Sequence, residues 1–150
     1  MLIENKIFEE LSPGDSAEIR RLVTQDDLIV FANVSGNHNP MHLFDHDGDG
    51  DGQNEALAPG MFLASLISAV LGNILPGAGT LYRHQDLDFH GHAIAGDELC
   101  AKVTVKSIDP ATHQVVIDTR VERISNGDVF VSGSACVEAP DHKLHYDSHD

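Results

Sequence analysis

The order of patterns along the chain predicts an α+β fold. Helical segments come first, and three runs in which apolar residues alternate then follow. These runs cover residues 98–108, 114–124 and 129–138. Alternation with a period of two is typical of half-buried antiparallel strands. The last two runs are linked through Asn126-Gly127, a pair that favours a tight type I′ hairpin turn. Helices followed by a meander of antiparallel strands form the α+β pattern.

Composition bounds the class of protein. A chain of 150 residues suits one compact domain that buries roughly 68–70% of its unfolded surface. Its 24 acidic and 9 basic side chains give a formal charge of -15, which repels nucleic acid and anionic lipid. The opening MLIENKIFEE lacks a basic segment followed by an apolar one, and no apolar run is long enough to span a membrane. We therefore expect a cytoplasmic protein without nucleic-acid or membrane partners.

The first helix can be placed by its two ends. After an N-terminal arm over residues 1–14, we expect a strand at 16–23. Thr24 is then a good N-cap for the helix that follows. Gly36 ends this helix, because glycine readily takes the positive φ of a C-terminal cap.

A second helix begins at Pro59-Gly60 and reads MFLASLISAVLGNIL. It is apolar on nearly every side except at Ser65 and Ser68, and a helix that is apolar all round is a buried helix. About 13 such residues are too few to span a bilayer. A strand over residues 80–89 is expected between this helix and the meander.

A polar turn, SGNHNPMH, lies between the two helices. Its polar side chains surround Pro40 and belong to Ser35, Asn37, His38, Asn39 and His42. Because so many polar groups converge on one turn beside a buried helix, this turn is the candidate site.

The turn and the second helix together resemble the MaoC-like hydratase family, the (R)-specific enoyl-CoA hydratases of the hot-dog fold. The family pattern is roughly F-A-x-x-S-G-D-x-N-P-x-H, then H-G-M-x-x-A-S-L-x-S, then L-P-G-x-G-x-x-Y. The matching residues are Phe31, Ala32, Ser35, Gly36, Asn39, Pro40 and His42, then Gly60, Met61, Ala64, Ser65, Leu66 and Ser68, then Leu75, Pro76, Gly77, Gly79 and Tyr82. The resemblance implies a curved antiparallel sheet wrapped around one long buried helix over residues 1–140. Residues 141–150 are expected to form a flexible, acidic, histidine-containing tail.

The resemblance also implies an activity. In the family, an aspartate and a histidine five residues apart hold a water molecule that adds across a trans-2-enoyl-CoA, giving (R)-3-hydroxyacyl-CoA. By this match, His42 is the catalytic histidine, and the backbone N–H of Gly60 faces the thioester oxygen. Ser68 matches a serine that hydrogen-bonds the aspartate, although a bond to its own helix is an equal alternative. Asn39 and Ser65 are assigned to substrate binding with Gly60 and Ser68.

Asn37 stands where the family has its catalytic aspartate. A carboxamide can hold water, but it has no accessible pKa and cannot act as a general base. Hydration by the usual route should therefore lose about 10²–10⁴-fold, or about 3–5 kcal/mol, leaving His42 as the base. Two further departures are Pro59, where the family has a histidine, and Phe44, where it has an aspartate.

Other carboxylates could substitute for the missing one. Residues 60–74 contain no Asp or Glu, so the candidates are Asp45, Asp47 and Glu55 in the acidic loop over 45–55. The same loop begins like an EF-hand, with Asp at alternate positions before a glycine, but the twelfth position is Ala56. We expect a flexible, solvated loop and no metal site, with a weak, nonselective cation contact as the alternative.

Three functions follow from these observations. The first is an (R)-specific enoyl-CoA hydratase that acts as a homodimer and needs no cofactor beyond the coenzyme A of its substrate. The second is an acyl-CoA-binding module that has lost hydration, and the third is a thioesterase. Candidate cations for the coenzyme phosphates are Arg83, Lys102 and Arg120, which could equally be solvated. Cys100 and Cys136 are expected to be buried, reduced thiols, and His142, His145 and His149 to be solvated.

Overall fold

The computed structural model describes residues 3–43, 47, 50–52 and 54–144. Its helices are α1 (Gln25–Ser35) and α2 (Gly60–Asn73), and short 3₁₀ turns lie at Phe8–Glu10 and Pro40–His42. The strands are β1 (Ser16–Leu22), β2 (Leu81–Gln85), β3 (Asp88–Phe89), β4 (Glu98–Asp109), β5 (Gln114–Arg123) and β6 (Val129–Glu138). The predicted α+β class is confirmed, and the predicted meander is formed by β4, β5 and β6.

The strands form one antiparallel sheet in the order β1-β4-β5-β6-β2, and β3 pairs with β6 beyond the end of β2. Helix α2 lies across one face of this sheet and contacts β1, β4, β5 and β6. Its buried residues are Phe62, Leu63, Leu66, Ile67, Val70 and Leu71. Helix α1 packs on α2 through Phe31, whose ring meets that of Phe62 edge to face at 5.7 Å between centroids.

Helix α2 is buried on one face only, so the prediction of all-round burial is wrong within the protomer. Met61 is 60% exposed, and Ser65, Ser68 and Gly72 are exposed as well. Their spacing of three or four residues aligns them on the face turned away from the sheet. The sheet covers the opposite face, which leaves this one as an open surface. No described helix is long and apolar enough to cross a membrane.

The strand predicted over residues 80–89 is wrong as one continuous element, because β2 and β3 are separated at Asp86 and Leu87. Asp86 is hydrogen-bonded to Ser134 on β6. Its N–H donates to the carbonyl of Ser134 at 3.0 Å, and its carboxylate accepts from the Ser134 N–H at 3.0 Å. The carbonyl of Asp86 lies directly against the α-carbon of Gly133. The chain therefore breaks the regular ladder there and rejoins it at β3.

Replacing Gly133 with Ala should destabilise the fold by at least about 3 kcal/mol. A β-carbon on Gly133 would lie 2.0 Å from the backbone oxygen of Asp86. Asp86 is held in place by the bonds of its N–H and its carboxylate to Ser134. Chemical denaturation measures the loss in the free energy of unfolding. Gly72→Ala is the matched control, since a β-carbon there meets nothing within 4 Å and alanine favours the helix. Equal stabilities for the two variants would contradict this packing.

The type I′ turn predicted at Asn126-Gly127 is also wrong. Strands β5 and β6 are joined by residues 124–128, and only Gly127 among them has a positive φ, of 75°. A type I′ turn needs positive φ at both central residues. Asn126 instead accepts a hydrogen bond from the N–H of Asp128 at 3.0 Å through its side chain. The longer connection therefore overrides the local preference of the Asn-Gly pair.

The N-terminal arm is anchored through Asn5, which bonds to Ala78 and to the C-terminal residues 142–144. Asn5 is 5% exposed, and its amide nitrogen donates to the carbonyls of Ala78 at 3.2 Å and His142 at 2.8 Å. Its amide oxygen accepts from the N–H of Leu144 at 2.8 Å. Residues 141–144 are thus tied to the arm. The rest of the predicted tail, with His145 and His149, lies outside the described residues, so its flexibility stays a prediction.

Candidate active site

Helix α1 delivers the polar turn as the sequence predicts. The hydroxyl of Thr24 accepts from the N–H of Asp27 at 3.1 Å, and the carboxylate of Asp27 accepts from the N–H of Thr24 at 3.1 Å. At the other end, Gly36 has φ 78° and its N–H donates to Ala32 at 2.9 Å. Both predicted caps are confirmed, and Asn37 is the first residue beyond them.

The turn is held in shape by its own side chains. The hydroxyl of Ser35 accepts from the N–H of Asn37 at 3.1 Å, and the amide oxygen of Asn37 accepts from the N–H of Asn39 at 3.2 Å. The amide oxygen of Asn39 in turn faces the N–H of Met41 at 3.4 Å. Because the amide oxygen of Asn37 accepts this backbone hydrogen bond, its amide nitrogen is the group left to face solvent or a ligand.

His42 is fixed in one tautomer by the segment before α2. Its Nδ1 lies 2.8 Å from the carbonyl oxygen of Leu57, and the N–H of Leu57 donates to the carbonyl of Met41 at 2.9 Å. A carbonyl can only accept, so Nδ1 carries the proton in the neutral ring. Nε2 then has a free lone pair. This is the state that a general base requires.

Three stretches of chain run side by side at the start of α2. Residues 41–42 bond to Leu57 on one side, and on the other side the N–H of Ala58 donates to Ala93 at 2.8 Å. The N–H of Ala95 donates to Ala56 at 2.9 Å. Residues 56–58 therefore lie between the polar turn and residues 93–95, and they lead into α2 at Gly60.

Gly60 begins α2 beside a cavity of about 520 Å³. The residues around it are Ala58, Gly60, Met61, Leu63, Phe89, His90, Gly91 and His92. The ring of Phe89 packs so closely on Gly60 that a β-carbon there would lie 2.6 Å from it. The first N–H groups of a helix have no partner within the helix, and the helix dipole favours negative charge beside them. The start of α2 can therefore stabilise an oxyanion in this cavity.

Phe89, His90 and His92 are site residues that the sequence does not predict. Two histidines that flank a glycine after a predicted strand are the only signal the sequence offers, and their approach to Gly60 depends on tertiary packing. His90 is held by β6, since its Nε2 lies 2.7 Å from the hydroxyl of Ser132. Within the described part of the chain, the His92 ring makes no hydrogen bond.

Ser65 and Ser68 lie on the open face of α2. The hydroxyl of Ser65 donates to the carbonyl of Phe62 at 2.5 Å, so it bonds its own helix. Ser68 lines an apolar groove of about 470 Å³ with Phe31, Met61, Ala64, Ser65, Tyr82, Gln85 and Leu87. No hydrogen bond among the described residues joins Ser68 to Asn37, so their contact stays a prediction.

A chain of polar groups borders this groove. The hydroxyl of Tyr82 donates to the amide oxygen of Gln85, whose nitrogen donates to the hydroxyl of Thr119 at 3.0 Å. Thr119 is buried, and its hydroxyl donates a hydrogen bond to the carbonyl of Gly133 at 3.1 Å. Partial burial raises the pKa of Tyr82 to about 12, so its phenol stays protonated. The groove therefore has an apolar wall and one neutral polar edge.

The acidic loop brings three carboxylates together. Ligand oxygens of Asp47, Asp51 and Glu55 lie within 4.8 Å of one another. The carboxylate of Asp47 also accepts from the N–H groups of Gly50 and Gly52, each at 2.8 Å. These bonds are internal to the loop and do not extend to His42. Phe44, Asp45 and Asp49 lie outside the described residues, so a substitute carboxylate from this loop stays a prediction.

The three candidate cations lie on the sheet. Arg83 pairs with Glu138, and Arg120 pairs with Glu122 at 2.9 Å. Lys102 and Arg120 are direct cross-strand neighbours on β4 and β5 and line a shallow depression with Thr104, Asp118 and Thr119. Two of the three are thus already paired with carboxylates, and their contact with coenzyme phosphates stays a prediction.

A six-stranded antiparallel sheet around α2, with a histidine turn at the helix start, defines a hot-dog domain of the hydratase type. Comparison with known proteins is consistent with this class, since the MaoC like domain profile matches residues 11–127. The chain belongs to the MaoC-like domain family. The predicted family and fold are therefore confirmed.

The relatives cover nearly the whole chain. An (R)-specific enoyl-CoA hydratase of Rhodospirillum rubrum is 34% identical over 133 residues, which is 89% of this chain and 91% of the relative. A 3-hydroxybutyryl-CoA dehydratase of Methylorubrum extorquens is 34% identical over 134 residues, covering 89% of this chain and 83% of the relative. Among solved structures, an unliganded R-hydratase from Pseudomonas aeruginosa superposes with a TM-score of 0.86 at 34% identity, covering 99% of this chain and 94% of that one. The (R)-hydratase of Aeromonas caviae superposes with a TM-score of 0.79 at 31% identity, covering 88% of this chain and 99% of that one.

Proposed function

We propose that this protein is an (R)-specific enoyl-CoA hydratase, which adds water to trans-2-enoyl-CoA to give (R)-3-hydroxyacyl-CoA. The observation that carries the proposal is the tautomer of His42. Its bond to Leu57, three residues before α2 begins at Gly60, leaves Nε2 free to accept a proton. The names of the relatives from Rhodospirillum rubrum and Aeromonas caviae support the same reaction.

The chemistry follows from these groups. Nε2 of His42 takes one proton from a water molecule, and the water oxygen forms a bond to Cβ of the enoyl group. The π electrons of the double bond move onto the thioester oxygen, where the N–H groups at the start of α2 stabilise the charge. The enolate then collapses as a proton is added at Cα, so one water has been added in total. Asn37 and Asn39 hold the water, and no cofactor is required.

The apolar groove on α2 is the proposed site of the acyl chain. Ser65 and Ser68 lie along it, and its other lining groups are mostly apolar, as an alkyl chain requires. From Gly60 to Ser68 the helix rises about 12 Å, so a chain bound with its thioester at Gly60 can extend along this face. Gly60, Ser65 and Ser68 are thereby the substrate-binding residues of α2.

The active protein is proposed to be a homodimer. Strand β2 ends the sheet, so one of its edges is free, and Leu81 and Tyr82 on it are 54% and 43% exposed. Met61 on the open face of α2 adds further apolar surface beside them. Exposed apolar surface next to an unpaired strand edge favours pairing with a second copy.

Leu81→Asp is therefore expected to convert the dimer into monomers, because it places a charge in the apolar contact. Light scattering on a sizing column measures the mass of the particle in solution. Ile3→Asp is the matched control, since Ile3 is 48% exposed and lies on the N-terminal arm and not on a strand of the sheet. A monomeric native protein, or a dimer that survives Leu81→Asp, would contradict this interface.

The compartment is proposed to be the cytoplasm, on the evidence of the thiols. Cys100 and Cys136 are both free, and Cys100 is buried while Cys136 is half-buried. Burial and the neighbouring Glu18 carboxylate raise the pKa of Cys100 to about 11, so this thiol stays protonated and unreactive. Unpaired thiols in a small domain favour a reducing compartment.

Product analysis with crotonyl-CoA tests the proposed reaction. The expected product is 3-hydroxybutyryl-CoA, oxidised by an (R)-specific dehydrogenase in a coupled assay and not by an (S)-specific one. Release of free coenzyme A, detected with a thiol reagent, would instead support the thioesterase. Tight binding of butyryl-CoA without any product from crotonyl-CoA would support the binding module.

A further inference from the structure

The proposed hydration requires a proton at Cα, and Asn37 cannot supply it. A carboxamide does not ionise, and α2 carries no carboxylate over residues 60–73. The groups that line the thioester cavity are therefore the candidates for a donor separate from His42. Of the residues that line the cavity beside Gly60, only His90 and His92 carry a side chain suited to acid–base catalysis.

We propose that His92 is the catalytic acid of this site and takes the role left open by Asn37. The inference rests on the proposed hydratase function. His92 is exposed at the cavity wall that also includes Gly60, Met61 and Phe89. His90 is less suited, because its Nε2 is already engaged by Ser132 at 2.7 Å.

The backbone geometry places His92 across the site from His42. The polar turn and the segment that begins at Ala93 lie on opposite sides of residues 56–58, to which both are hydrogen-bonded. Neighbouring extended chains lie about 4.8 Å apart, so the two histidines start from backbones about 10 Å apart. The proposed substrate lies between these two stretches, with its thioester oxygen at the N–H of Gly60, Cβ toward His42 and Cα toward His92.

The complete step balances with two histidines. Neutral His42 takes a proton from water, and the water oxygen bonds to Cβ while the π electrons pass to the thioester oxygen. Protonated His92 then gives its proton to Cα, and the carbonyl is restored as the Cα–H bond forms. His42 is left protonated and His92 neutral, and exchange of one proton with solvent at each ring restores the starting state. One water has been consumed.

His92→Gln keeps a hydrogen-bonding side chain but cannot donate this proton. In the native background we expect kcat for crotonyl-CoA hydration to fall about 10²-fold, with KM changed by less than about threefold. In the Asn37→Asp background a carboxylate is present again, so the same substitution should lower kcat by less than about tenfold. His142→Gln is the matched control, because His142 is exposed and contacts Asn5 only through its carbonyl.

The outcomes separate the inference from the function on which it rests. No hydration by the native chain would overturn the proposed function itself. Hydration that is unaffected by His92→Gln would overturn the role of His92 and leave the hydratase in place. A rise in KM without a fall in kcat, or an equal loss of kcat in both backgrounds, would also overturn it, since neither is expected of an acid that replaces the missing carboxylate.

Discussion

Asn37→Asp is expected to raise the rate of crotonyl-CoA hydration by about 10²-fold, the lower end of what one acid–base group contributes. The substitution adds an ionisable carboxylate five residues before His42, where it can take or return the proton of the bound water. The gain is placed at the lower end because His92 already supplies part of this role. Steady-state loss of the enoyl absorbance measures the change in kcat.

The turn should accept this substitution without a change of shape. The amide oxygen of Asn37 accepts from the N–H of Asn39, and a carboxylate oxygen can accept the same hydrogen bond. Asn126→Asp is the matched control, since Asn126 accepts in the same way from Asp128 on the distant hairpin. It should leave the rate unchanged. A fall in rate for Asn37→Asp, in a variant that still melts cooperatively, would contradict the role given to this position.

His42→Ala should reduce hydration by about 10²–10⁴-fold, because it removes the only base assigned to the water. The half-buried ring also ties the turn to Leu57, so alanine removes a structural contact together with the base. His42→Gln separates these effects, since its amide nitrogen can still donate to the Leu57 carbonyl but offers no basic nitrogen. We expect both variants to be equally slow.

His142→Ala controls for the loss of an exposed histidine and should retain the native rate. Full activity in His42→Gln with loss in His42→Ala would show that the ring only positions the turn. Full activity in both variants would remove His42 from the mechanism.

Local signals account for the parts of the fold that the sequence predicts correctly. Thr24 and Gly36 cap α1 through bonds within three or four residues, so their chemistry is visible in the sequence itself. The break between β2 and β3 is different, because it depends on Asp86 meeting Gly133 and Ser134 far along the chain. No local pattern encodes that contact, and the sequence of residues 80–89 therefore predicts a single strand.

The same distinction applies to the site. The polar turn and the start of α2 are predicted because the matching residues are contiguous in sequence. The tautomer of His42 depends on Leu57, and the cavity wall depends on Phe89 packing against Gly60, so both emerge only with the tertiary structure. The open face of α2 was missed for a related reason. An apolar helix predicts burial. Its composition does not show whether the residues that bury it belong to the same protomer or to a second copy of the chain.

The most direct measurement is the rate of crotonyl-CoA hydration by the native chain in the presence of EDTA. The control is the same solution without protein. Binding of butyryl-CoA is measured in parallel. We expect turnover well above the protein-free rate, undiminished by EDTA, since His42 and His92 carry the proposed chemistry without a metal. Binding of butyryl-CoA with no hydration of crotonyl-CoA would contradict it, because the scaffold would then retain its thioester pocket without a working base.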